Sequence, residues 1–348
     1  MNFFLALLIV FCLALLLFQL IGKLLSTQPY QGPKSDHFNG RRFQNPSGTN
    51  AKGFDEVIKY IGKRKPDKWP NDLDQSVRTT PLPVPIPAEI QYTFINHSTF
   101  LIQHQGMNIL TDPIWSMRCS PVQFAGPKRQ RPPGLPFEQL PAIDIVLITH
   151  NHYDHLDKNT IFLLNKKQKQ PTYVVPLGVA QIMKKWDCRE VIEIDWNEST
   201  QLGQIAITAL PANHFSSRGT YDRNTSLWCG YLVTSATKKF YYLGDTGYSD
   251  IFKQTAKHFG PFDLCFIPIG AYLPEWFMSP IHISPAQAAQ VHLDLGSKKS
   301  VAMHFGTFKL ADDNPTRAKS ELLKALAENN LNEELFHIPR EGDCYQLN

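Results

Sequence analysis

One short loop constrains the fold more than any other part of the chain. Residues 149–155 read Thr149-His150-Asn151-His152-Tyr153-Asp154-His155, so three imidazoles and a carboxylate follow directly on the apolar run of residues 143–148. That run has the length and composition of a buried strand, and the loop therefore leaves a strand end. Four such groups must be desolvated together or left wet, and packing gains from neither. A solvated polar loop is the competing reading, but it does not explain why all four groups are of metal-ligating type. Divalent cations satisfy them jointly, so the chain must fold in a way that brings further ligands to this loop.

Candidates for those ligands stand where later apolar runs give way to loops. His214 lies in Pro211-Ala212-Asn213-His214-Phe215, Asp245 in Leu243-Gly244-Asp245-Thr246-Gly247, and His304 in Met303-His304-Phe305-Gly306. Any one alone would more often be structural, but together with the loop they give a set of nitrogen and oxygen ligands without a cysteine. Such a set suits two borderline divalent cations in an open site and not a closed structural one. No Ser-His-Asp or Cys-His arrangement offers a side-chain nucleophile, and no glycine-rich phosphate cradle is present.

Short apolar runs at residues 90–94, 100–103, 108–111, 144–149, 173–176, 205–209, 240–243, 264–268 and 300–304 read as strands. Helical patterns cover residues 178–186, 249–259, 285–295 and 317–329, the third marked by Ser284 as N-cap, Pro285 in the first turn and Gly296 past the end. The fold class is therefore α/β with many strands. With 43% hydrophobic and 19% charged residues in 348, the chain can bury a sizeable core. Six cysteines are scattered without a C-x-x-C pair and read as free thiols. A net charge of +4, from 35 basic against 31 acidic residues, gives no ground for a nucleic-acid partner.

The N-terminus carries a separate signal. Residues 3–22 are apolar except for Gln19, about the ~20 residues a helix needs to cross a bilayer. A cleaved signal peptide is disfavoured, because the run is too long, no basic residue precedes it and no small-x-small site comes after it. Residues 1–24 are thus expected to be an uncleaved single-pass anchor. Lys23, Lys34, Arg41 and Arg42 all lie after the span, which places the body on the cytoplasmic side. Residues 25–87, polar and then proline-rich (Pro81, Pro83, Pro85, Pro87), read as a tether with a short helix near residues 54–61, and residues 88–348 as the domain that carries the ligand cluster.

These motifs, taken in order, resemble a known family. The H-x-H-x-D-H loop with the downstream His, Gly-Asp and His is similar to the metallo-β-lactamase superfamily, a four-layer αββα sandwich with one dinuclear site. The runs Asn108-Ile109-Leu110-Thr111-Asp112-Pro113, Arg118-Cys119-Ser120-Pro121, Gly126-Pro127-Lys128-Arg129, Gly270-Ala271-Tyr272, Trp276-Phe277-Met278 and His304-Phe305-Gly306-Thr307-Phe308 resemble the N-acylphosphatidylethanolamine-hydrolysing phospholipase D family. The resemblance runs from about Phe94 to Leu310. It implies one zinc on His150, His152 and His214, a second on Asp154, His155 and His304, and Asp245 bridging them. It also implies hydrolysis of N-acylphosphatidylethanolamine to N-acylethanolamine and phosphatidate by a hydroxide shared between the metals. Asp154, His282 and Tyr272 are the expected catalytic residues: His282 would protonate the departing alkoxide and Tyr272 would hydrogen-bond a phosphoryl oxygen.

Around this set, Asp112 is expected to fix the tautomer of a ligand histidine, His97 to stand beside the metals and Tyr153 to line the cleft. Trp115, Phe124 and the stretch 272–278 could form a greasy groove, dip into the membrane interface or belong to the ordinary core. The segment Ala311-Asp312-Asp313-Asn314-Pro315 departs from the family pattern. The expected partners are a membrane phospholipid and the bilayer, with homodimerisation left open. The rivals are another hydrolase of an ester, lactone or soluble phosphodiester on the same site, and a metal-binding protein without turnover.

Overall fold

In the computed structural model, which describes residues 3–71, 73, 86, 89–167 and 170–347, the apolar runs assemble into two seven-stranded sheets. The strands in chain order are β1 (Gln91–Asn96), β2 (Thr99–His104), β3 (Met107–Thr111), β4 (Ile145–Leu147), β5 (Thr172–Pro176), β6 (Val191–Ile194), β7 (Ser199–Leu202), β8 (Ile205–Leu210), β9 (Gly230–Thr234), β10 (Lys239–Tyr242), β11 (Phe262–Pro268), β12 (Ser297–Met303), β13 (Phe336–His337) and β14 (Cys344–Gln346). The helices are α1 (Phe3–Leu25), α2 (Phe54–Lys63), α3 (Lys158–Lys166), α4 (Ala180–Lys185), α5 (Ile251–Phe259), α6 (Glu275–Met278), α7 (Pro285–Leu295) and α8 (Pro315–Glu328).

The first sheet runs β14-β1-β2-β3-β4-β5-β6 and the second β13-β12-β11-β10-β9-β8-β7. Strands β3 to β6 and β10 to β13 pair in parallel, and β4 and β11 are buried almost throughout, as strands covered on both faces require. One core lies between the sheets, joining Phe94, Phe100 and Ile109 to Ile207, Tyr231 and Phe266. A second fills the space between the outer face of the first sheet and α3 and α4, through Ile161, Leu164, Ala180 and Met183. Helices α7 and α8 pack on each other, and α7 on the second sheet. The result is the expected αββα sandwich, a metallo-β-lactamase fold. Helix α7 starts and stops as its sequence dictates: Ser284 accepts from Gln287 N, Pro285 opens it, and Gly296 ends it at φ 58°.

Helix α1 is the one helix among the described residues that is long and apolar enough to cross a membrane, and its side chains are mostly exposed. The segment after α1 is more than a tether. Residues 26–71 are strapped to the body: Tyr30 N donates to Thr225 O and Phe43 N to Asn224 O, Phe38 and Phe43 are buried, and Trp69 Nε1 donates to Asp313 O. His37 Nε2 sits 2.7 Å from Asp195 while its ring stacks on Trp196, and Arg64 pairs with Asp312 at 2.9 Å. The strap holds because its scattered aromatics find apolar seats and its backbone finds partners. The proline-rich run at 81–87 lies outside the described residues, Ile86 apart.

Candidate metal centre

Asp112 anchors the construction. The parallel register of β3 on β4 sets Thr111 against Leu147, and Asp112, at φ 34°, then turns a fully buried carboxylate towards the end of β4. That carboxylate accepts from Thr149 N (2.8 Å), Thr149 Oγ1 (2.8 Å), His155 Nδ1 (2.8 Å) and Tyr242 OH (2.9 Å). With Nδ1–H given to Asp112, the lone pair of His155 is on Nε2, facing the interior. His214 is oriented in the same way, since Ile281 O accepts from its Nδ1 at 2.9 Å. Just before Asp245, Gly244 adopts φ 65°, and a Cβ there would stand 2.8 Å from Thr149 Cγ2, so only glycine lets β10 come this close to the histidine loop.

The ligand atoms gather in two groups. His150 Nε2 and His214 Nε2 lie 2.8 and 3.2 Å from His152 Nδ1. Asp154 Oδ2 lies 3.4 Å from His155 Nε2, 3.5 Å from His304 Nε2 and 3.0 Å from His97 Nε2. Asp245 Oδ2 touches both groups, at 3.0 Å from His304 Nε2, 3.2 Å from His155 Nε2 and 3.7 Å from His214 Nε2. Within each metal-ligating set the atoms lie no more than 4.8 Å apart.

Several of these atoms have no hydrogen-bond partner although buried: His155 Nε2, both ring nitrogens of His304, His282 Nδ1 and Asp245 Oδ1. The short His155–Asp245 and His304–Asp245 distances are close approaches without hydrogen-bond alignment. Each orphaned polar atom would cost about 1–3 kcal/mol. Imidazole nitrogens and carboxylate oxygens converging without partners are the donor set a divalent cation fits, and the residues present suit it.

The structure thus brings together His150, His152, Asp154, His155, His214, Asp245 and His304, and sets His97 and His282 beside them, His282 Nδ1 being 4.0 Å from Asp245 Oδ2. Tyr272 is different. Its hydroxyl donates to Glu321 at 2.7 Å and its ring is fully buried, so the expectation of a phosphoryl contact is corrected: the phenol is used in seating α8. Trp115 likewise joins the core, donating Nε1 to Leu135 O and packing edge-on against Phe137. Phe124 is 85% exposed and Trp276 is half-exposed under Lys59. Tyr153 donates to Arg218 O, and the Arg218 guanidinium lies 3.9 Å over its ring. Two supports were not foreseen: Tyr242 and Thr149, which complete the hydrogen-bond set around Asp112.

Charge in the centre is polarised. Burial pushes the carboxyls of Asp154 and Asp245 up, but His155 and the other imidazoles outweigh it and hold both well below the usual range. Burial likewise pushes His155 and His304 down, and the facing carboxylates, Asp245 first, reverse it: His155 is raised well above its ordinary value and His304 to about 9. Burial, reinforced by neighbouring rings, lowers His150 and His214 far below theirs and takes His152 to about 4. Without cations, protons on His155 and His304 balance the two carboxylates.

The metal-free protein should therefore carry a pH signature. The His304 contribution is fully present below about 6.5 and lost as pH rises through about 9, whereas His152 and His282, both near 4, are neutral when folded and lose stability as pH falls from about 6.5 to 4. The melting temperature of chelator-treated protein is expected to fall on both sides of neutrality. Calorimetry across pH 4–9 checks this, and a flat profile would contradict the polarisation.

Residues 107–305 match the family model described as the beta-lactamase superfamily domain. The chain is 35% identical over 332 residues to the N-acyl-phosphatidylethanolamine-hydrolyzing phospholipase D 1 of Caenorhabditis elegans, a match covering 88% of this chain and 93% of that one. The chain belongs to this phospholipase D family. It is also 41% identical over 246 residues to an uncharacterized protein of Mycobacterium tuberculosis, covering 69% of this chain and 65% of that relative's length. Among solved structures it is similar to Igni18, a metallo hydrolase of the archaeon Ignicoccus hospitalis, with a TM-score of 0.56 and 19% identity over 74% of this chain and 98% of that one. That likeness shows the fold. In this member of the family the His/Asp cluster, gathered at or just beyond strand ends, is a set that could hold metal ions.

Proposed function

We propose that the protein is a dinuclear zinc phosphodiesterase that hydrolyses N-acylphosphatidylethanolamine to N-acylethanolamine and phosphatidate while anchored in a membrane by α1. The observation that carries this reading is Asp245, whose carboxylate stands within 4 Å of imidazoles from both ligand groups and so suits a bridge between two cations. The name of the Caenorhabditis elegans relative supports the substrate class. A cavity of about 260 Å³ beside the histidine loop supports a lipid: the last residues of α1, Leu24 and Leu25, share it with Tyr153, Trp186, Lys158 and Lys185. Asp157 and neutral polar side chains line it too, but with Arg218 the cations outnumber the one carboxylate, which suits an anionic amphiphile, and tethering raises the local concentration of a substrate confined to the bilayer.

In the reaction, His150, His152 and His214 would hold one cation and Asp154, His155 and His304 the other. Such a pair supplies Lewis-acid polarisation of the phosphoryl oxygens and acidifies a water at neutral pH. Asp112 keeps His155 in the tautomer that presents Nε2 inward, and Ile281 O does the same for His214. Burial holds His282 down at about 4, so the expected role of proton donor is replaced by that of a neutral N–H hydrogen-bonding the departing oxygen, and the proton this oxygen takes up is the one the attacking water loses.

The test is product analysis on vesicles containing N-acylphosphatidylethanolamine, with parent protein, chelator-treated protein and His152→Ala. Phosphatidate is expected from the parent alone and should return when zinc is restored to chelated parent. Turnover confined to water-soluble esters, or release that survives chelation, would overturn the proposal.

A further inference from the structure

The strap of residues 26–71 carries none of the metal-ligating residues, yet one of its side chains enters the turn that presents His214. Asn45, buried, pairs through its amide with the backbone of His214 on both sides: His214 N–H donates to Asn45 Oδ1 at 2.9 Å, and Asn45 Nδ2 donates to His214 O at 3.0 Å. The same Oδ1 accepts from Trp228 Nε1 at 3.0 Å, and the same Nδ2 donates to Thr49 O at 2.7 Å. All four polar contacts of the amide are therefore made, two of them to one peptide segment, as a neighbouring strand would make them. Next to it, Ser47 Oγ donates to Asn213 Oδ1 at 2.7 Å.

His214 comes four residues after β8 and lies in a loop where the strand ladder can no longer fix it. Its ring is aimed by Ile281 O and its backbone by Asn45, so two distant segments together determine where Nε2 points. Groups that orient a ligand without touching the metal govern affinity nearly as strongly as the ligands themselves, by roughly 10–100-fold when removed.

We propose that Asn45 is a positioning residue for the cation centre: the N-terminal strap, outside the segment matched by the family model, supplies the clamp that aims His214. This rests on the reading of the cluster as a cation centre but not on the lipid substrate. The experiment measures zinc affinity of the full-length protein by competition with a chromophoric chelator, together with the visible spectrum of the cobalt-substituted protein and the melting temperature of the metal-free form. Asn45→Ala is expected to weaken zinc binding roughly 10–100-fold and to shift the cobalt bands. Asn45→Asp keeps an acceptor for His214 N–H and Trp228 Nε1–H but loses the donor to His214 O, and should fall between Ala and the parent. Trp69→Phe, which loosens the strap elsewhere, should bind zinc as the parent does.

A parent-like affinity and cobalt spectrum for Asn45→Ala would overturn the proposal, whatever its melting temperature, and so would an equal loss in Trp69→Phe. Should the alanine variant fail to fold, the aspartate variant decides: weaker binding than the parent supports the clamp, and equal binding refutes it. A parent that binds no divalent cation at all would instead fail the metal-centre reading on which this one is built.

Discussion

Replacing Asp245 with alanine is expected to reduce phosphodiester turnover at saturating zinc by roughly a thousandfold or more, and to lower the zinc content of purified protein below that of the parent. The reason is its position. Its carboxylate approaches His155, His304 and His214 at 3.0 to 3.7 Å and is the group shared by both ligand sets. Without it each set has only neutral imidazoles, or imidazoles and Asp154, so two dications would face each other with one carboxylate fewer to neutralise them. A thousandfold loss corresponds to about 4 kcal/mol, within the several kcal/mol that a metal pair contributes to charge stabilisation. Elemental analysis and turnover of the same sample check the prediction together. A variant that kept full zinc content and activity within tenfold of the parent would show that Asp245 does not bridge.

The second large effect is expected at Asp112, which touches no ligand group except through His155. Asp112→Ala strands two buried donors, Thr149 N and His155 Nδ1, and leaves Thr149 Oγ1 and Tyr242 OH with only His150 Nδ1 (3.0 Å) and Ser98 O (2.7 Å), all within fully buried residues. Removing one member of a buried charged network costs about 3–5 kcal/mol, on the order of 10 °C in melting temperature for a domain of this size. His155 also loses the acceptor that fixes its tautomer, so zinc affinity should fall roughly 10–100-fold in whatever folded protein remains. Thermal melting of metal-free and zinc-loaded samples separates the two effects: the stability loss appears in both, and the affinity loss as a smaller gain on adding zinc. If Asp112→Ala melted with the parent, the hydrogen bonds drawn to its carboxylate would be energetically idle.

How much of this could be read from the chain depends on how narrowly chemistry restricts the residue type. The loop around His150 was legible because cation binding admits few side chains, and because a strand buried on both faces, such as β4, must be continuously apolar. Strand β7, Ser199–Leu202, was not legible: it is a polar edge strand with partly exposed side chains, and its pairing with β8 gives it order that its own sequence does not announce. The two-residue β13 and the short β14 are likewise products of docking. Helix α3 was missed although Asp157 caps it, since the capping residue closes the metal loop and reads as part of it.

Tyr272 shows the opposite error. It stands in a run that resembles the family, but proximity in sequence to functional residues does not aim a hydroxyl, and Glu321 of α8 claims it. Asn45 left no trace at all, because an amide pairing with backbone needs no partner residue of recognisable type and lies 169 positions from the residue it holds.

The junction between α1 and the body has a further consequence. Gly22 O receives Thr220 N, Ser26 Oγ accepts from Tyr221 N, and Thr27 is bonded twice to Asp222, so the end of the apolar helix is riveted to the loop beside the histidines rather than joined by slack chain. With α1 seated in a bilayer, such a rivet sets the body's height and tilt, and holds the mouth of the site at headgroup depth. On the proposed function, such a protein would search in two dimensions, meeting a lipid substrate by lateral diffusion and working one vesicle to exhaustion before touching another.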